Sequence, residues 1–309
     1  MTPIATALGA LSVGHPKTVG RLTVFPLLTP TPVGSSYVLL DDALAKGVAS
    51  VTEISDAGSV PELKFENRDV NPVLIVDGEA LVGAKQNRIV NITILVAAQS
   101  TTSIPVSCVE RGRWSYRRPD FGSSDHVLYS RSRARKAQDV SASMRMTGQR
   151  RSDQGAIWAD IDATAQCMSV TSDSDAMSDI YEHRRNDLDQ LERGLTPEPN
   201  QVGAVFALDG RIIGLEVFDA VETWRRFSRK VYRSYGLDAL DPRRRADDKP
   251  FDVHQWLQEV AASPLAEFPA VGLGRDVRLE HNRFAGGALV KDGTLIHCAI
   301  FDNAAWQEN

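Results

Sequence analysis

Along much of the first 117 residues, apolar and polar positions alternate, the period-2 pattern of strands with one buried face. In "ELKFENRD", Leu63 and Phe65 fall on one face and Lys64 and Glu66 on the other. "RLTVFPLL" (Arg21–Leu28), "VASVTEIS", "NRIVNITILVAAQS" and "TTSIPVSCVE" read as further strands. "NPVLIVDG" is a short apolar run ended by an Asp-Gly turn pair. "SYVLLDDALAKG" holds one short helix closed by Gly47, because glycine takes the left-handed cap conformation freely. Many short strands joined by turns predict a β-sandwich or a jelly-roll-like body.

The pattern changes after Arg117. The stretch 118–155 is rich in arginine and poor in large apolar groups, and it reads as an exposed, flexible insertion. A sharper alternative is a basic arm that meets phosphate or an acidic partner. From Ala156 to Arg193 the period becomes helical, with Ile157, Ile161, Ala165 and Met168 on one face, and Gly194 and Pro197 end it. "QVGAVFALDGRIIGLEVFD" is a hairpin about Asp209-Gly210, and the tail holds a second about Asp292-Gly293. Between them lie a helix with Trp224, Phe227, Val231 and Tyr235 on its stripe, a charged loop "DPRRRADDKP", and a short helix capped by Asp252. The expected class is α+β: a body of antiparallel strands with helices from the second half packed on it. The expected organisation is one domain over 1–303, with a β-rich part (1–117), the insertion (118–155), a helical part (156–195) and mixed hairpins and helices (200–303).

Composition narrows the function classes. A chain of 309 residues, 42% hydrophobic, builds a large core. A net charge of -5 argues against a general nucleic-acid binder. Three cysteines, an odd and sparse count, suit reduced thiols and a cytoplasmic setting. The first segment lacks a basic start and a continuous apolar run, so no signal peptide is expected. No stretch approaches the about 20 apolar residues of a membrane span.

Two segments carry candidate chemistry. "VDGEALVGAKQNRIVN" sets Asp77, Glu79, Lys85, Gln86, Asn87, Arg88 and Asn91 among strand-forming residues. Gln86 and Arg88, two apart, share a strand face, and together they suit a phosphate, a carboxylate or a ribose hydroxyl. From spacing alone, a solvated strand edge suits Lys85, Gln86 and Arg88 better. In "VSCVERGRWSY", Glu110 precedes Arg111, Arg113, Trp114 and Tyr116. Trp114 could stack a base and arginine meet phosphate, or the segment is a structural salt bridge under an aromatic plug. Cys108 is a nucleophile only beside a base, and is otherwise inert packing. Up to Tyr116 the chain has one histidine, His15, so no histidine-rich metal site is expected there. His297, in "IHCAIF", reads as a core histidine that reaches a site only from another element. "VGLGR" lacks the third glycine of a dinucleotide fingerprint. No cofactor can be named from these residues.

"GEALVGAKQNRIVN", "IPVSCVERGRWSY" and "VGAVFALDGRIIGLEVFD" with "YRSYGLDAL" resemble the ARG and rhodanese-phosphatase-superfamily-associated protein domain family, where ARG means ADP-ribosylglycohydrolase. The resemblance runs from about Arg21 to Phe301 and is loosest in the tail. It implies a role near ADP-ribose or NAD-derived metabolites. Its motif positions fall on Glu79, Gln86, Asn87, Arg88, Asn91, Glu110 and Trp114, with His297 in the looser part, and it supplies no assigned catalytic residue. The expected site therefore takes Glu79 and Glu110 as acid or base. It takes Gln86, Asn87, Arg88, Asn91, Arg111, Trp114 and His297 as ligand contacts, and no metal. The expected partner is an ADP-ribose-type small molecule, or a partner protein; no nucleic acid or membrane is expected. The competing reading is a non-catalytic interaction or structural module.

Overall fold

In the computed structural model, residues 2–55, 61–116, 118–243 and 251–306 are described. Most of the expected charged loop, residues 244–250, lies outside them.

The alternating strands of the first half close into a barrel of six strands. Around it run Ser100–Cys108, Glu62–Asn67, Ala49–Glu53, Phe121–Val127, Glu79–Gly83 and Arg88–Val90, each antiparallel to its neighbours, with the last pairing back to the first. Val51, Leu63, Phe65, Leu81, Val90, Ile104, Val106 and Phe121 form part of its apolar cluster. Closure leaves no open sheet edge. A barrel therefore stands where a sandwich or jelly roll was expected. The physical reason is the strand Phe121–Val127, which pairs with both Ala49–Glu53 and Glu79–Gly83 and so closes the cylinder. Its sequence "FGSSDHV" does not alternate cleanly, and its pairing shifts register between Ser123 and Val127.

That strand lies within the segment expected as a flexible insertion. The same segment also contains the 18-residue helix Ser130–Thr147, ended by Gly148 at φ 73°. Its buried stripe is Ala134, Ala137, Val140 and Met144, and Arg133 and Lys136 are fully buried beside it. The loop expectation fails because arginine and lysine were read as solvent-facing, whereas here two of them enter the interior on ion pairs.

The second half builds a larger antiparallel sheet. Its order is Ser12–Val13, Leu22–Leu28, Gln201–Leu208, Arg211–Phe218, Thr294–Asp302, Phe284–Lys291, Arg275–Leu279 and Leu265–Pro269. Both expected hairpins form, with positive φ at Asp209, Gly210, Asp292 and Gly293, as primed turns require. Gln201–Leu208 is buried at every position because both faces are covered. On one face lies a cluster containing Trp224, Phe227, Val231 and Tyr235 of the helix Val221–Ala239, with Ala134 and Ala137. On the other lie Ile4 and Leu8 of Pro3–Gly9 and Val253, Trp256 and Val260 of Val253–Ala262. A small sheet, Ile94–Val96 antiparallel and Val38–Leu39 parallel to Val73–Ile75, joins the barrel's connections. The architecture is mixed α+β, and among the described residues no helix is long and apolar enough to cross a membrane.

Candidate functional site

The buried arginine and lysine of the Ser130–Thr147 helix lead to the site. Lys136 Nζ donates to Asp77 Oδ1 and to the carbonyls of Val90 (3.2 Å) and Asn91 (2.9 Å). Arg133 meets Asp77 Oδ2 at 3.3 Å and grips Glu216 with two bonds, 3.1 and 2.7 Å. Glu216 lies two residues before Phe218, which pairs across the strands with His297, so Glu216 and His297 share a sheet face. His297 Nε2 is 3.0 Å from Glu216 Oε1, and His297 Nδ1 is 2.7 Å from Thr93 Oγ1. Thr93 Oγ1 accepts from the backbone N–H of Asp77 at 3.0 Å.

Charges this deep are costly to desolvate, and they persist here by pairing. Burial pushes Glu216 upward, but Arg133 and His297 outweigh it and hold the carboxyl below its usual range. Burial likewise opposes ionisation of Asp77, and Lys136 and Arg133 overcome it. Burial pushes the Lys136 ammonium down to about 8, with Asp77 pulling the other way. Lys136 thus stays charged at neutral pH. An ionised Glu216 only accepts hydrogen bonds, so His297 Nε2 carries a proton. In the neutral imidazole Nδ1 is then the acceptor for the Thr93 hydroxyl.

Asp77, Thr93 and His297 border a cavity of about 20 Å³, enough for one water. Its wall includes Asp77, Thr93, Asp276, Arg278 and His297, with Gly286 and Gly287 of Phe284–Lys291. Arg278 is paired to Asp276 at 2.7 Å. Gly286 is at φ 130°, and a Cβ there would stand 2.1 Å from the Ala299 carbonyl oxygen. The wall therefore requires glycine at that position.

His297 is the one expected site residue at this cavity. Glu79 is buried at the far end of its strand, accepting from Lys230 Nζ (2.9 Å) and Val76 N–H (2.8 Å). Burial raises its carboxyl above the usual range despite Lys230. Glu110 is fully buried and takes bonds from Arg113 (2.9 and 2.7 Å), the Asn87 N–H (3.0 Å) and Ser174 (2.8 Å). Those donors outweigh burial and hold it low. Arg113 also reaches the Gly83 carbonyl at 3.2 Å, the opposite end of the strand from Glu79. Glu79 and Gly83 stand about 13 Å apart along that strand, so the two carboxylates are held at its opposite ends and do not share one reacting bond.

Gln86 and Arg88 do share a face. Arg88 Nη1 donates to Gln86 Oε1 and to Cys108 Sγ, both at 2.6 Å, and both side chains are buried rather than on a solvated edge. Burial pushes the Cys108 thiol up to about 11, with Arg88 pulling it back. Asn87 Oδ1 receives Arg113 and the Gly83 N–H. Asn91 bridges Ser107 and the Arg150 carbonyl. Arg111 is a surface residue paired to Asp162 and Asp175 at 2.9 Å. Trp114 is half exposed and is covered by Lys85 and Arg88, 5.6 and 5.5 Å from its ring. The two candidate segments are therefore interlocked turns at one barrel end.

Thr93, Arg133, Lys136 and Glu216 escaped sequence reasoning, and Asp77 was noticed without a role. One signal was present: a carboxylate in "GLEVFD" and a histidine in "IHCAIF", both on otherwise apolar strands. Among the described residues no group of three His, Cys, Asp or Glu is placed to hold a metal ion.

Comparison with curated proteins and with solved structures found no match. The family model described as ARG and Rhodanese-Phosphatase-superfamily-associated Protein domain matches residues 10–301. That span is nearly the whole chain, so the chain belongs to this family.

Proposed function

We propose that this protein binds and processes an ADP-ribose-type, NAD-derived phosphorylated nucleotide, with the cavity at Thr93 and His297 as its reaction centre. One observation carries the reading. Asp77, Asp276, Arg278 and His297, from three separate segments, line one small cavity, and Lys136 and Glu216 pair with Asp77 and His297 from behind its wall. A core selected for stability alone is served as well by apolar side chains, and perturbed, convergent charges mark functional sites. The family name supplies the ADP-ribose context. The cavity is far too small for a nucleotide, so only the reacting group enters it. The rest of the ligand lies outside. Grooves of 220 and 390 Å³ flank the same Ser130–Thr147 helix, and Arg131, Arg135 and Arg145 line them. Those guanidinium groups suit a diphosphate.

A thermal-shift panel of ADP-ribose, its phosphorylated forms and NAD tests this. At one hundred times its Kd a true ligand adds about 2.7 kcal/mol of stability. The double variant Arg135→Ala/Arg145→Ala should lose that shift while melting as the parent does without ligand. A flat panel would sink the proposal.

The competing reading, a non-catalytic module serving ADP-ribose-processing partner proteins, draws on the interlocked state of Glu79 and Glu110. It predicts ligand stabilisation without turnover. The proposed compartment is the cytoplasm, on the cysteine count.

A further inference from the structure

The hydrogen-bond sequence at the cavity has a direction. Arg133 fixes Glu216 bidentately, Glu216 accepts from His297 Nε2, and His297 Nδ1 faces the Thr93 hydroxyl at 2.7 Å. The Asp77 N–H points at the same threonine oxygen, which leaves the hydroxyl proton for the imidazole. Histidine and carboxylate are buried, whereas Thr93 is half-buried on the cavity wall. A hydroxyl, an imidazole and a buried carboxylate in this order form the constellation of nucleophilic acyl transfer, which is recognised by geometry and not by chain order. Here the imidazole presents Nδ1 to the hydroxyl and Nε2 to the acid.

The cavity also selects the electrophile. Asp77, Glu216 and Asp276 are balanced by Arg133, Lys136 and Arg278, so the surroundings are neutral overall. A phosphoryl dianion meets no surplus of positive charge there. A neutral ester carbonyl needs no such surplus.

We propose that Thr93 is a nucleophile that accepts a short acyl group from an ester, with His297 as its base and Glu216 as the residue that positions His297. In the first step Thr93 Oγ1 bonds to the acyl carbon and its proton passes to His297 Nδ1. The ester C–O bond breaks, and the leaving alcohol takes that proton. Water then attacks the acyl-threonine and gives a proton to His297. The carboxylic acid departs, and the proton returns to Thr93. Arg278, on the cavity wall, faces the negative charge that forms on the carbonyl oxygen. The inference rests on the proposed function for the place of the site, but not for ADP-ribose as the ligand.

The test uses the full chain and two chromogenic probes, 4-nitrophenyl acetate and 4-nitrophenyl phosphate. Acetate should be hydrolysed above buffer and phosphate should not. Thr93→Ala and His297→Gln should each lower acetate turnover by about a thousandfold, and the double variant no further, because such residues act as a unit. Thr93→Ser should restore turnover, which separates nucleophilicity from packing. Acid quenching during turnover, followed by peptide mass mapping, should place the acetyl group on Thr93. No acetate hydrolysis, hydrolysis unchanged in Thr93→Ala, or acetylation only elsewhere would overturn the proposal. Acetate turnover beside a flat ADP-ribose panel would reject the nucleotide reading and keep this one.

Discussion

Glu110 and Arg113 show what a buried pair does at the scale of single residues. Glu110 is fully buried, and Arg113 supplies two of its bonds while also holding the carbonyls of Gly83 and Ala84. Arg113→Met leaves that carboxylate without its counter-ion, and breaking such a pair costs about 3–5 kcal/mol. The urea midpoint should fall accordingly, and adding Glu110→Gln should recover part of the loss. Burial holds the Cys108 thiol up at about 11 and pushes that of Cys298 further up. Iodoacetamide at pH 8 should therefore alkylate Cys167, which is partly exposed, before either of the others. Peptide mapping reads the order. Asp219 gives a pH signature. Burial raises its carboxyl from 3.8 to about 6, with the hydrogen bond from the Tyr37 hydroxyl, 2.5 Å away, pulling the other way. The folded state then holds more protons than the unfolded state between these values. The stabilisation it brings is complete below about pH 4 and is lost as pH rises through about 6. Unfolding free energies of the parent minus Asp219→Asn should decline across that window, and a flat difference would refute the assignment.

At the scale of elements, backbone conformation decides which glycines are needed. Gly286→Ala must hold φ 130° and push against the Ala299 carbonyl. It should cost about 1–3 kcal/mol and disturb the cavity wall. Gly9→Ala, in a helix with nothing within 4 Å of the new methyl group, should stabilise by about 0.4–1 kcal/mol. Calorimetry on the pair gives opposite shifts. The same contrast explains which elements were legible. The hairpins at Asp209-Gly210 and Asp292-Gly293 announced themselves through turn chemistry, and Val221–Ala239 through its aromatic stripe. The strand Phe121–Val127 and the helix Ser130–Thr147 did not. Their serines and arginines carry solvent-facing chemistry, and only tertiary ion pairs bring Arg133 and Lys136 inside.

At the scale of the molecule, alternation marks strands but not how they close. A sandwich and a barrel share period 2, so the hidden sixth strand decided between them. The site was less legible still. Thr93 and His297 meet from 204 residues apart, and Arg133 reaches Glu216 across 83. The motif of strongest resemblance lies mostly in the interlocked turns around Glu110, and only the residues flanking it, Asp77 and Thr93, touch the cavity. Polar residues crowded together in sequence thus served the barrel end, while the cavity and the ion pairs behind it drew residues from segments far apart in the chain. Reversible unfolding of His297→Gln, which keeps a donor for Glu216, should show a fold close to the parent's.

The most direct test follows ADP-ribose and its esters by chromatography, with parent protein and with His297→Gln, after confirming that both are folded. Product formed by the parent and lost by at least about a hundredfold in His297→Gln, as expected of a general base, is the predicted result. Equal product from both proteins would contradict the assignment of this cavity as the reaction centre, and none from the parent would contradict ADP-ribose as its substrate.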